Sequence, residues 1–194
     1  MLFEKRRIHI DNKNAPELLY PIISKDILSL GFNNHRELII LCIGTDRSTG
    51  DSLGPLTGTL LSKYDTLPAI IIGNIHSPVH ASNLEEIINA IENKYRDPFI
   101  IAVDAGLGKQ NSVGYIDVKK GPLKPGTGVN KKLPEIGDMH ITGLANVGGY
   151  IEYLILQSTR LSMVIKMGEI IASALNLSIN HVMGSLSNEF TAID

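Results

Sequence analysis

Two aspartates stand where a carboxyl pair would have to be built. Asp51 lies in Gly44-Thr45-Asp46-Arg47-Ser48-Thr49-Gly50-Asp51-Ser52-Leu53-Gly54-Pro55, a polar, glycine-containing stretch that follows the apolar run Leu38 to Ile43. Asp104 ends a second apolar run in Ile100-Ile101-Ala102-Val103-Asp104-Ala105-Gly106. At a helix start, Asp51 would be favoured as an anion by free backbone N–H groups and the helix dipole, and an N-cap is the plainest role for it. A carboxyl at the end of a buried strand needs a partner or a solvent-filled cleft, because an unpaired buried carboxylate is costly. Two such groups in one crevice cannot both ionise easily, so one pKa rises and the pair divides into general base and general acid. The expectation is that Asp51 activates water while Asp104 holds or delivers a proton, with the reverse assignment open.

Other side chains compete for a chemical role. His140, in Gly137-Asp138-Met139-His140-Ile141-Thr142-Gly143, precedes an expected helix and would reach the same crevice. Asp51, Asp104 and His140 together would form a carboxylate, carboxylate, imidazole set of the kind that borderline divalent metals accept. Alone, His140 reads as a helix-start or surface histidine. His76 and His80 have the i, i+4 spacing of a helical chelate, but Pro78 between them argues against a regular helix, which leaves them as loop histidines. Cys42, inside an apolar run, reads as a small core residue. Lys131 and Lys132 read as a solvated loop pair, or as cations that orient a peptide carbonyl if the loop closes on the cleft. Neither G-x-G-x-x-G nor G-x-x-x-x-G-K-[ST] is present, and Asp51 would put negative charge where a phosphate should dock.

Positioning these residues requires a particular order of elements. Asn14 with Glu17, and Ser82 with Glu85, have capping-box spacing, predicting helices from about Ala15 to Gly31 and from Ser82 to about Tyr95. Apolar runs at Leu38 to Ile43, Ala69 to Ile72 and Phe99 to Val103 predict strands buried on both faces. Helical spacing marks Leu53 to Tyr64, Leu144 to Leu156 and Ser162 to Leu175, while Val113 to Val118 alternates as a fourth strand. Gly121 to Asp138, rich in Pro, Gly and Lys, reads as a long loop. The pattern predicts an α/β fold: a single doubly wound, mainly parallel sheet with helices on both faces. In a flavodoxin-like strand order the first and third strands are neighbours, and both aspartates fall beyond their carboxyl ends.

Composition limits the partners. A chain of 194 residues that is 43% hydrophobic can bury one substantial core, so one domain is expected over 1–194. A net charge of -2 with interspersed signs favours neither nucleic acid nor an anionic membrane. A single cysteine excludes an intrachain disulfide framework. The charged opening and the lack of an uninterrupted apolar stretch of about 20 residues lead to the expectation of a cytoplasmic protein. Helices covering a sheet often pair by two-fold contacts, and a homodimer is a guess on that basis.

The stretch Cys42 to Pro55 resembles the signature of the YyaC family of sporulation proteins, itself similar to the germination protease and, more distantly, to hydrogenase maturation endopeptidases. Asp51-Ser52-Leu53-Gly54-Pro55 resembles the protease's Asp-Ala-Leu-Gly-Pro, and Val103-Asp104-Ala105 its Ile-Asp-Ala; these blocks carry its two catalytic aspartates. Pro125-Gly126-Thr127-Gly128-Val129, followed by Lys131 and Lys132, resembles its Pro-Gly-Ser-Gly-Val loop. His140-Ile141-Thr142-Gly143-Leu144-Ala145-Asn146-Val147 resembles the maturation enzymes' histidine block, whose histidine binds metal with two acidic residues. Here Asp51 replaces a glutamate and Asn146 an aspartate. The resemblance implies a peptidase-like core over 38–156, an N-terminal extension with one helix over 1–37 and a C-terminal helix and tail over 157–194. It implies catalysis by Asp51 and Asp104, with Thr45, Asp46, Gly126, Thr127, Gly128 and Lys131 binding substrate. No cofactor is required in this version, a divalent metal on Asp51, Asp104 and His140 being the alternative. The implied substrate is a protein or peptide of the sporulating cell, such as a small acid-soluble spore protein. The competing readings are a small-molecule or phosphate binder and a non-catalytic sporulation protein on the same fold.

Overall fold

The computed structural model describes residues 6–125, 133–149 and 152–191. Six strands form one sheet in the order β1-β5-β6-β4-β2-β3: β1 Arg7–His9, β2 Leu38–Cys42, β3 Ile70–Ile72, β4 Phe99–Gly108, β5 Tyr115–Lys120 and β6 Met139–Val147. The four strands β3, β2, β4 and β6 run parallel, while β5 is antiparallel to β6 and β1 antiparallel to β5. The α/β class and the mainly parallel sheet follow the sequence expectation. So does the neighbour relation: β2 and β4 pair directly, with Ile40 opposite Ile101 and Cys42 opposite Val103.

Helices cover both faces. On one face α1 (Ala15–Ser29) and α2 (Leu53–Leu61) pack against α5 (Leu161–Thr191), over Ile40, Cys42, Ile101, Val103 and Ile141. On the other, α3 (Leu84–Lys94) sets Leu84, Ile88 and Ile91 against Ile39, Leu41, Ile100 and Ala102. All five residues of β2 are buried, as expected of a strand covered on both sides. In α5, Leu161–Asn188 is long and apolar enough to cross a bilayer by length and composition. Val164, Met167, Ile171, Leu175, Ile179 and Val182 recur at helical spacing and are buried in the core, so α5 has the form of a core helix.

Two expectations require correction. The helix expected over Leu144 to Leu156 is divided: Leu144 to Val147 belong to β6, and α4 spans only Glu152–Gln157. A short apolar run does not distinguish helix from buried strand. Here the strand gains backbone partners on both sides, and Gly143 lets Leu53 and Met167 approach where a Cβ would lie 2.2 Å from Met167 Sδ. Within the expected long loop, Leu123 and Ile136 form an antiparallel bridge. Neither capping box forms, because Asn14 makes no side-chain cap bond and Asn83 rather than Ser82 occupies the N-cap of α3. The end of α1 does match its glycine: Gly31 has φ +86°, and the N–H groups of Gly31 and Phe32 return to Leu28 and Ile27.

Glycines bring α2 close to the sheet. A Cβ on Gly58 would stand 1.9 Å from the Gly73 carbonyl oxygen, and one on Gly54 would stand 2.0 Å from that of Ile43. Alanine in a helix gains about 1 kcal/mol over glycine, which is less than the cost of forcing backbone apart in a packed core. Gly58→Ala is therefore expected to lower stability by about 1–3 kcal/mol, read as a lower urea midpoint at unchanged slope.

Candidate active site

The end of β2 is a junction of backbone groups. Ile43 N–H donates to Val103 O of β4 at 2.8 Å, and Gly44 N–H donates to Val79 O at 2.7 Å. Gly44 has φ +142°, and its missing side chain admits the Asp51 carbonyl, which would lie 2.0 Å from a Cβ there. Thr45 N–H closes the loop by donating to that carbonyl oxygen at 3.1 Å. The following turn, Gly50–Ser52, carries Asp51 and runs directly into α2. Neither Thr49 nor Ser52 makes a side-chain cap bond at these helix starts.

Asp104 belongs to β4, which packs against this turn. Its neighbours Ala102 and Val103 are fully buried, and Asp104 itself is half-buried. The Asp104 carboxyl lies well above its ordinary range, first because burial disfavours the anion and second because the Asp51 charge repels it. The N–H of Ala105, 2.8 Å from Asp104 Oδ1, offsets part of this. The Asp51 carboxyl is also raised by burial, while the Thr45 N–H and the His80 ring favour its anion. The two carboxyl groups thus form an electrostatically coupled pair with unequal environments. They stand where the parallel order turns outward from β2 to β3 on one side and to β4 on the other, a topological switch point.

His140 lies elsewhere. In β6 it is level with Ala102, while Asp104 is level with Thr142, so His140 sits about 7 Å back along the strand. Its Nδ1 donates to Gly121 O at 2.9 Å, at the end of β5. Among the described residues no three His, Cys, Asp or Glu side chains are grouped as a metal site. Asp51 and Asp104 are thus brought together at the carboxyl ends of β2 and β4, and His140 stands apart from them. Asn146 fastens α4, donating through Nδ2 to Ile155 O at 2.9 Å and to Thr159 Oγ1 at 3.2 Å.

The remaining sequence candidates divide similarly. Thr45 is half-buried at the base of the loop, whereas Asp46 is exposed beside it. Gly126, Thr127, Gly128 and Lys131 lie outside the described residues. Cys42 is fully buried and its thiol is pushed up to about 12 by burial, which keeps it protonated as a core side chain. The residue that sequence reasoning set aside is His80. Val79 pairs with Ile43 as an isolated parallel bridge, which carries His80 to the edge where Asp51 lies. Pro78 was the available signal, since it keeps this segment extended enough to run beside a strand.

The fold and site define an α/β protein with an acid pair at the switch point of a mainly parallel sheet. Residues 7–174 match the family described as "Protein of unknown function (DUF1256)", and the chain belongs to that family. It is 49% identical over 143 residues to the "Uncharacterized protein YyaC" of Bacillus subtilis (strain 168), covering 74% of this chain and 70% of that one. A solved structure of the NiFe hydrogenase maturation protease HycI from Thermococcus kodakarensis KOD1 is similar at TM-score 0.47 and 16% identity, over 79% of this chain and 98% of that one.

The raised Asp104 carboxyl makes a signed prediction. A carboxyl whose folded pKa exceeds its unfolded value binds its proton more tightly in the native state. Its contribution to stability is present below the ordinary carboxylate range and is lost as pH rises through the raised value. Asp104→Asn removes that loss. The variant should gain stability relative to the parent between those two limits and hold the gain at higher pH, as read from paired denaturant melts across the pH range.

Proposed function

We propose that the protein is a peptidase-like hydrolase that cleaves a peptide bond in a small protein of the sporulating cell. The observation that carries this reading is the coupling of Asp51 and Asp104 at the switch point: burial raises both carboxyls, but Asp104 is held well above its ordinary range and is further repelled by Asp51, so the shared proton goes to Asp104. The resemblance of their sequence blocks to those of the germination protease supports it.

With that division, Asp51 takes a proton from water as the oxygen bonds to the peptide carbonyl carbon. The tetrahedral species then breaks its C–N bond as Asp104 gives its proton to the leaving nitrogen. The pair is left with its proton on Asp51, and exchange with water restores the starting state. A coupled pair of this kind titrates as a unit, so activity should follow a bell-shaped curve with one limb for each ionisation.

The test is cleavage of a purified small acid-soluble spore protein, followed by mass spectrometry. Asp51→Asn and Asp104→Asn should each lower the rate by about 10²–10⁴, the usual contribution of a positioned acid or base, with unchanged circular dichroism. Folded double-asparagine protein that cleaves at the parent rate would overturn the proposal.

A further inference from the structure

β4 outlasts its neighbour. β2 pairs with it from Leu38 opposite Phe99 to Cys42 opposite Val103, while β4 continues to Gly108 with β6 along its other side. At Gly44 the chain turns away, and Thr45 N–H bonds to the Asp51 carbonyl rather than to β4. Main-chain groups in a strand point alternately to its two sides. Val103 O accepts Ile43 N–H from the β2 side, and Gly108 O accepts Gly148 N–H from the β6 side, both at 2.8 Å. By that alternation the groups of Ala105 and Leu107 face the lane that β2 has left. The Ala105 N–H turns to its own neighbour, Asp104 Oδ1, at 2.8 Å. Among the described residues, the Ala105 carbonyl and both main-chain groups of Leu107 meet no strand on this side.

Free strand edges are ordinarily blunted by lysine, proline or a bulge. Here Ala105-Gly106-Leu107-Gly108 carries no charge and no proline, each residue is half-buried, and the bulge at this level lies in β6, which steps past Ala145. On the face that bears Asp104 the next two positions of β4 are Gly106 and Gly108, so β4 raises no side chain beyond the carboxyl. We infer that the substrate is held as an added strand along Ala105 to Leu107, its backbone pairing with the free edge of β4 in the lane left by β2. This rests on the proposed hydrolase reading and names what the site binds: an extended segment of protein rather than a helix or a small molecule. A helix satisfies its main chain internally, whereas an extended peptide supplies donors and acceptors at the spacing of the edge. At about 3.3 Å per residue the edge takes about three residues of peptide, starting beside Asp104. Pairing there lays a peptide amide alongside the acid pair.

The experiment is amide hydrogen exchange, read by NMR on the full chain carrying Asp51→Asn so that bound substrate stays intact, with a purified small acid-soluble spore protein as the probe. Without the probe, the Leu107 amide should exchange quickly while that of Gly106, which faces β6, is protected. With the probe, Leu107 should become protected as well. Leu107→Pro in the same background removes one N–H from the lane and none from the β4–β6 ladder, as proline on a strand edge requires. It should weaken probe binding by about 2- to 12-fold, the worth of one backbone hydrogen bond. If the proline unfolds the chain, exchange at Leu107 still decides. A Leu107 amide already protected in the free chain, protection that grows with protein concentration alone and so marks a second copy, or no protection with the probe present would each overturn the inference. The readout is binding: a probe that protects Leu107 but is never cut by the parent chain counts against the hydrolase reading alone, and one that is cut without engaging Leu107 counts against this inference alone.

Discussion

The peptide units of Ile43 and Gly44 constrain everything at the site. Within two residues the chain bonds to β4 through Val103, to the next crossover through Val79, and receives the Asp51 carbonyl against a bare Cα. Each contact is backbone to backbone, so the arrangement does not depend on side-chain rotamers. Glycine is required at position 44 on two counts: its φ of +142° is disfavoured for other residues, and no side chain fits under the Asp51 carbonyl. Three chain segments that are distant in sequence are brought to one sheet edge by a junction that has little room to adjust.

The location at a switch point follows from the crossovers. From β2 the chain passes through α2 to β3 on one side, and then through α3 to β4 on the other. The connections diverge and leave a crevice beyond the carboxyl ends of β2 and β4. α2 is seated on the sheet by Gly54 and Gly58, so the turn that carries Asp51 is set by the height of that helix. Packing on one face of the sheet is thereby coupled to the geometry of the acid pair at its edge.

Sequence patterns revealed what depended on local burial. β2 and β4 were legible because both faces of each strand are covered, leaving uninterrupted apolar runs, and the aspartates stood out because they end or follow those runs. β6 was obscured because Gly143-Leu144-Ala145-Asn146-Val147 contains a glycine and good helix formers, and its strand state derives from pairing with β4 and β5. β1 is three residues long, too short to leave a period. The capping signals misled where a neighbouring asparagine took over the local hydrogen bonds, as Asn83 does for His80. His80 was hidden for a related reason: its place at the site depends on a single long-range bridge through Val79.

The chain's other buried carboxylates show what a purely structural solution looks like. Asp26 is 1% exposed and Asp117 4% exposed, and each is matched by cations, Arg6 with Lys120 and Arg7 with Lys119 respectively. Asp138 accepts the Ile100 N–H at 2.8 Å and pairs with Arg36 at 3.3 Å. Asp104 departs from this pattern: among the described residues it has no cationic partner, and its charged neighbour is another carboxyl. An uncompensated acid near the core lowers stability unless it keeps its proton, and a nearby negative charge makes that retention stronger. The same fold compensates its carboxylates along the β1 and β5 side and leaves Asp104 without a cation at the switch point, among the described residues. That contrast favours a chemical role over a structural one, because an apolar side chain or an added lysine at this edge would have served stability better.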